Sequence, residues 1–148
     1  MATALIIYAS LTGNTEEIAD ILAESLEDNG VEVDVKECTS ATASDFLDYD
    51  ICVVATYTYG TDGDLPDEIV DLYDELEEED LTGKVYGALG SGDTFYDKFC
   101  QSVLDFDQQF AKTGATKGAE NVLVDLNAEE EDVKHIEEFA KSLSEAVK

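Results

Sequence analysis

The sequence predicts an α/β protein, a three-layer doubly wound parallel sheet of five strands in the order 2-1-3-4-5. Strand-length apolar runs alternate with helical patterns five times along the chain, the pattern of a parallel sheet covered by helices on both faces. The runs at Ala4, Ile51 and Lys84 are apolar throughout and belong in the middle, whereas those at Val31 and Asn121 alternate and suit the edges. Right-handed crossovers limit the topology, and the order 2-1-3-4-5 satisfies both observations. The 148 residues are 44% apolar, enough for one domain with its own core over 1–148, and no linker, repeat or low-complexity stretch divides it.

In chain order, strand one covers Ala4 to Ala9. Ile18, Ile21, Leu22 and Leu26 then share one face of a helix running from Glu16 to Asn29. Gly30 suits the left-handed position that ends it. Val31 to Val35 alternates strictly, as a half-exposed strand does. Thr39 to Phe46 reads as a polar connection with about one helical turn. Ile51 to Ala55 is a continuous apolar strand, followed by a loop from Thr56 to Leu65. Pro66 suits the first turn of a helix that carries Ile69, Leu72, Tyr73 and Leu76 on one face, and the acids from Glu77 to Asp80 close it on the solvent side. Lys84 to Gly90 is the next strand and Ser91 to Tyr96 the next loop. Phe99, Val103 and Phe110 mark a helix that stops at Gly114. Asn121 to Leu126 is the last strand. The last helix is expected to open with Asn127 and Glu130 at capping-box spacing and to turn Val133, Ile136, Ala140, Leu143 and Val147 inward, with Lys141 and Lys148 near its C-terminal dipole.

Charge is the strongest bulk feature. Thirty-six acids stand against eight bases, all lysine, for a net −28. Nucleic acid and anionic membrane surfaces are repelled by such a surface, and a basic partner is steered towards it. No 18-residue apolar run exists, so no transmembrane helix is expected. The first residues enter a strand with no basic region before it, which points to the cytoplasm. Three cysteines, Cys38, Cys52 and Cys100, lack metal spacing and do not make a disulfide framework.

Chemistry concentrates in the turn between strand one and helix one. Ser10-Leu11-Thr12-Gly13-Asn14-Thr15 holds three hydroxyls, one amide and a glycine in six residues. Free N–H groups and the dipole at a helix start favour an anion, and hydroxyls can fill the remaining lone pairs of a phosphate. Ser, Thr and Asn also cap helices for their own sake. One cap needs one such residue, however, and this turn has four. The pattern points to a phosphate monoester.

In the predicted topology, ligands bind at the carboxyl ends of the strands, at the switch between strands one and three. The loops opening at Thr56 and Ser91 converge there with the phosphate turn. The first offers Tyr57 and Tyr59, and the second Phe95 and Tyr96. Singly, these aromatics can as well be packing. Beside a phosphate turn, a planar phosphorylated ligand accounts better for them. Other phosphate users are set aside. There is no G-x-G-x-x-G after strand one, no G-K-[ST] and no Cys followed by Arg. Strands one and three do not end in the acidic cluster of a phosphoacceptor domain. The single histidine, His135, reads as a surface residue of the last helix, so no nucleophile–base set can be assembled.

At these residues the sequence resembles a flavodoxin of the short-chain type, over the whole chain. Leu5 to Thr15, continuing to Ala19 and Leu22, is similar to the family's phosphate signature. Thr58-Tyr59-Gly60 is similar to its first flavin loop, and Gly90-Ser91-Gly92-Asp93 with Tyr96, Phe99 and Cys100 to its second. The resemblance implies FMN, bound without a covalent link, with Ser10, Leu11, Thr12, Gly13, Asn14 and Thr15 at the phosphate. The ring is expected among Thr56, Tyr57, Thr58, Tyr59 and Gly60 on one side and Ser91, Gly92, Asp93, Tyr96, Phe99 and Cys100 on the other. Tyr96 takes the outer stacking position. Tyr59 takes the inner one, where relatives often carry tryptophan. Gly60-Thr61 matches the peptide that turns its carbonyl towards the flavin in the family, a flip that glycine permits at low steric cost, and Thr61 stands where an acid is common.

The resemblance implies a low-potential one-electron carrier rather than an enzyme, shuttling between a reductase and acceptor redox proteins through basic docking surfaces on those partners. A monomer is expected. The rival is a flavin enzyme that takes hydride from NAD(P)H to reduce quinones or nitro compounds, which −28 opposes because such an enzyme must admit an anionic nucleotide. A third reading, a binding module with no cofactor, would leave the purified protein colourless.

Overall fold

A computed structural model describes residues 2–10, 13–57, 67–92, 101–125 and 129–147. Its strands are β1 (Thr3–Tyr8), β2 (Glu32–Glu37), β3 (Ile51–Tyr57), β4 (Val85–Gly92), β5 (Thr116–Lys117) and β6 (Val122–Asp125). Its α-helices are α1 (Asn14–Asp28), α2 (Val70–Leu76), α3 (Gln101–Lys112) and α4 (Glu130–Ala146). Every strand pairing is parallel, in the order β2-β1-β3-β4-β5, and β6 also pairs with β4. The order is the predicted one. What differs is the fifth position, which two successive segments fill: Thr116 and Lys117 pair with the start of β4, and Val122 to Asp125 with its end.

Between those segments, Gly118 sits where a side chain cannot. A Cβ there would lie 2.2 Å from Val85 Cγ1 and 2.9 Å from Leu143 Cδ2. The break therefore lets the chain pass close under α4 before pairing resumes, at the cost of a continuous ladder.

Helices α1 and α4 cover one face of the sheet. Ile18, Leu22 and Leu26 meet Ile136, Ala140 and Leu143 there over Ala4, Ile6 and Val53. Phe139, which the helical pattern did not single out, is also buried and lies over Gly87, where a Cβ would meet its Cζ at 2.5 Å. Helices α2 and α3 cover the other face, with Leu5, Ile7 and Val54 against Leu72, Leu76, Phe106 and Phe110. The connection after β2 forms two 3-10 segments, Cys38–Ser40 and Ala43–Asp48. Its Phe46 is fully buried against Phe110, with ring centroids 5.6 Å apart.

As expected, β1, β3 and β4 are buried almost throughout, β2 is an exposed edge, and β6 turns Val122 and Val124 inward. Gly30 adopts φ +83° after α1, as its left-handed role requires. The helix predicted from Pro66 begins as a 3-10 turn over Asp67–Ile69, and Pro66 itself lies outside the described residues. One expectation is corrected. The capping box of α4 is Glu129 with Asp132, whose Oδ2 accepts from the Glu129 N–H at 3.0 Å; Glu130 is the first residue of the helix and not its third, and Asn127 lies outside the described residues. The three-residue spacing is the same, but the extended backbone that an N-cap needs occurs at Glu129.

Candidate functional site

Register brings three strand ends together. Tyr8 of β1 lies opposite Ala55 of β3, while Thr56 and Tyr57 lie opposite Gly90 and Ser91 of β4. The Ala9 N–H continues the pairing by donating to the Ala55 carbonyl at 2.9 Å. β1 and β3 therefore end side by side, at the point where the strand order reverses, which is where doubly wound sheets take ligands.

The turn after β1 is built around Gly13. Its φ of +93° is left-handed and it is the N-cap of α1, so no side chain caps the helix from that position. Ser10 Oγ accepts from the Gly13 N–H at 3.0 Å, and the Gly13 carbonyl accepts the first helical bond from the Glu17 N–H, also at 3.0 Å. The first N–H groups of a helix have no intrahelical partner, and its dipole adds a partial positive charge. Asn14 and Thr15 open this helix. Thr15 is 1% exposed, and its hydroxyl shares a 2.7 Å hydrogen bond with the Ser91 hydroxyl, 4% exposed, at the end of β4. This pair ties the phosphate turn to the start of the second expected flavin loop.

Gly90 makes the close approach of β3 and β4 possible. A Cβ there would stand 1.9 Å from the Thr56 carbonyl oxygen and 2.7 Å from Val103 Cγ2. Thr56 is fully buried and its hydroxyl donates to the Tyr57 carbonyl at 3.1 Å. The Tyr57 phenol donates to Glu68 Oε1 at 2.9 Å, and Cys38 Sγ donates to the Glu68 carbonyl at 3.3 Å. Glu68 thus ties the end of β3 to the turn at Cys38. Sequence reading missed it, because nothing local distinguishes it from the other acids in that stretch.

Of the site residues predicted from sequence, the structure brings Ser10, Gly13, Asn14, Thr15, Thr56, Tyr57, Ser91 and Gly92 to this end of the sheet. Leu11, Thr12, Thr58, Tyr59, Gly60, Asp93, Tyr96, Phe99 and Cys100 lie outside the described residues.

The electrostatics are negative around an uncharged cradle. Tyr8, at the end of β1, has its phenol pKa raised by burial and then by the carboxylates of Glu16, Glu37 and Asp20. The buried thiols are inert: burial pushes Cys38 to about 11 and Cys52 to about 12, so both stay protonated at neutral pH. Among the described residues no cluster of His, Cys, Asp or Glu is placed to hold a metal ion, and no helix is long and apolar enough to cross a membrane. His135 is exposed on α4, as expected.

A doubly wound sheet with a hydroxyl-bearing turn and a helix start at its switch point has the features that suit a small ligand carrying a phosphate. Three hydroxyls, a left-handed glycine and a helix start suit the phosphate of FMN, and Ser10 to Thr15 include no charged residue. The comparisons make the class specific. The flavodoxin family model matches residues 6–139. "Probable flavodoxin 2" of Bacillus subtilis is 37% identical over 145 residues, covering 97% of this chain and 95% of that protein. A flavodoxin of Streptococcus pneumoniae TIGR4 is 60% identical with a TM-score of 0.96, covering 99% of this chain and all of that one. A short-chain flavodoxin associated with a bacterial microcompartment is 46% identical with a TM-score of 0.97 over the whole of both chains. The chain belongs to the flavodoxin family, of the short-chain type, and is an FMN-binding electron carrier that works between redox proteins. The rival reading as an NAD(P)H-dependent reductase is not favoured. Domains of this kind also occur inside enzymes: a sulfite reductase flavoprotein alpha-component of Vibrio vulnificus is 31% identical over 125 residues, 82% of this chain but 20% of that protein.

Proposed function

We propose that this flavodoxin works at low potential, is not itself an enzyme, and holds FMN through the residues named above. The observation that carries the reading is an uncharged cradle set in a field of carboxylates. Bound FMN supplies the chemistry, taking up and giving back electrons one at a time; the protein supplies binding, orientation and electrostatics. Ser10, Gly13, Asn14 and Thr15, with Leu11 and Thr12, would hold the phosphate. Thr56 to Gly60 on one side, and Ser91, Gly92, Asp93, Tyr96, Phe99 and Cys100 on the other, would flank the ring.

The chain has no arginine, and Glu16, Asp20 and Glu37 all act on the Tyr8 phenol at the end of β1. Added negative charge on a ligand held there is costly. A like charge at 4 Å costs about 1 kcal/mol in water and about 4 kcal/mol near a protein surface. For one electron, ~1.4 kcal/mol corresponds to ~59 mV. A few such carboxylates therefore lower the second reduction step by ~100 mV or more.

The acidic surface would dock basic faces of a reductase and an acceptor, with rates that fall as salt rises. The same repulsion keeps copies apart and supports a monomer. Burial of Cys38 and Cys52 as protonated thiols fits a reducing cytoplasm.

Stepwise reduction of the FMN-loaded protein, followed by its visible spectrum, tests the reading. Two separate one-electron steps are expected, the second below that of free FMN. A single two-electron step at the free-FMN potential would falsify it. Steady oxidation of NADPH by the purified protein alone would show that it is an enzyme after all.

A further inference from the structure

The buried pair Thr15 and Ser91 carries a consequence for ligand choice. Their hydroxyl oxygens are 2.7 Å apart, and either can be the donor. One proton occupies that bond, so the two possible directions leave Thr15 in different states. If Thr15 donates to Ser91, it offers only lone pairs elsewhere and repels an anionic oxygen. If Ser91 donates to Thr15, the Thr15 O–H is released for another acceptor. Thr15 is the second residue of α1, on the turn whose N–H groups favour an anion, and it is 1% exposed, so water is a poor substitute partner.

Ser91 is held so that it can act. Within the sheet it lies between Tyr57 of β3 and Val124 of β6. The preceding Gly90 packs too closely on the Thr56 carbonyl to leave room for a Cβ. The Ser91 backbone therefore has little freedom to shift, and its hydroxyl, 4% exposed, stays within reach of Thr15.

We propose that Ser91 is a positioning residue that acts through Thr15: by donating to Thr15 Oγ1 it turns the Thr15 O–H towards the phosphoryl group, and so selects phosphorylated over unphosphorylated flavin. The inference rests on the reading of this turn as the FMN phosphate site. A chain of two hydroxyl hydrogen bonds uses no charge, in keeping with the uncharged turn, and neighbouring hydrogen bonds in a chain strengthen one another.

The test is the affinity of the full chain, freed of flavin, for FMN and for riboflavin, read by quenching of flavin fluorescence. In Ser91→Ala the FMN Kd is expected to rise about five- to tenfold, the size of one hydrogen bond between neutral groups, with the riboflavin Kd changed less than about twofold. Ser91→Cys keeps the shape but offers a weak donor, and is expected to lose the same preference while folding normally. Thr15→Ala should lose at least as much, and the double variant no more than Thr15→Ala alone. Equal weakening of FMN and riboflavin, full retention of the FMN preference in both Ser91 variants, or additive effects with Thr15→Ala would each overturn the proposal. A wild-type chain that binds riboflavin as tightly as FMN overturns the phosphate-site reading itself, and the proposal with it.

Discussion

The two ends of β4 are secured by different chemistry. At its carboxyl end, beside the cofactor site, Gly90 lies against the Thr56 carbonyl and Ser91 meets Thr15, with no charged group in either contact. At its amino end, charges do the holding. Asp107 of α3 accepts from the Tyr86 phenol at 2.6 Å, from Lys117 Nζ at 2.9 Å and from Asn121 Nδ2 at 3.0 Å. One carboxylate thereby ties α3 to β4, to β5 and to the residue before β6, so it secures both halves of the divided fifth strand. Lys84 Nζ adds a 2.6 Å bond to the Tyr49 carbonyl, two residues before β3. An ion pair near the ligand would shift its potential or compete for its phosphate, whereas at the far end it only stabilises. Placing the Asp107 ion pair at the far end of β4 lets stability and redox tuning vary separately.

The largest expected effect comes from adding one carbon at the neutral end. Gly90→Ala would place a methyl 1.9 Å from a backbone oxygen that cannot swing aside, so β3 and β4 must separate, at a cost of about 3 kcal/mol or more with loss of FMN affinity. Gly87→Ala nearer the amino end meets side-chain atoms alone, Phe139 Cζ at 2.5 Å and Leu143 Cδ2 at 3.3 Å, which can shift where a backbone oxygen cannot, and about 1–2 kcal/mol is expected. Thermal unfolding of the two variants should rank them in that order; equal melting temperatures would break the contrast.

Asp107→Asn is next. It removes a charged acceptor serving three donors, and about 2 kcal/mol should be lost in chemical denaturation. FMN affinity should hold, because this hub is at the other end of the strand. A large change in FMN affinity would show that the two ends are coupled.

Acid sharpens the same comparison. Burial on its own would raise the Asp107 pKa, but the hydrogen bonds from Tyr86, Lys117 and Asn121 and the charge of Lys117 outweigh it, and the carboxyl sits below its ordinary value. A carboxylate with a lower pKa folded than unfolded adds stability above its unfolded pKa and loses it as pH falls through the folded one. The stability gap between wild type and Asp107→Asn is therefore full at neutral pH and closes as pH drops below about 4. Taking the difference between the two proteins cancels the general relief of repulsion that acid brings to a chain of net charge −28. A gap that persists in acid would show that the carboxylate charge is not what holds this end.

The smallest effect is expected where charge meets open solvent. Lys36 and Asp45 approach to 3.6 Å with side chains 40% and 34% exposed, and Lys36→Ala should cost under about 0.5 kcal/mol.

Much of the fold was legible from residue patterns. Continuous apolar runs marked β1, β3 and β4 as central, and Gly30 and Gly114, both at positive φ, marked the ends of α1 and α3. The turn from β1 into α1 was legible because hydroxyls, an amide and a glycine crowd six residues, and its Gly13 is left-handed. Less visible were features made by distant partners. The division of the fifth strand depends on Gly118 passing under Val85 and Leu143. The α4 cap is at Glu129, whose backbone is extended, and residue spacing alone does not show where the extended chain gives way to the helix.

Local order alone thus determined the alternation of strand and helix, the strand order, the acidic field and the chemistry of the turn at Gly13, because each depends on residues within a few positions or on composition. Tertiary structure decided that Thr15 would meet Ser91 across 76 residues, that Tyr57 would lean on Glu68, and that one aspartate would gather Tyr86, Lys117 and Asn121. A hydrogen bond needs its atoms within about 3 Å, and only the packed sheet and helices bring such separated side chains to that distance.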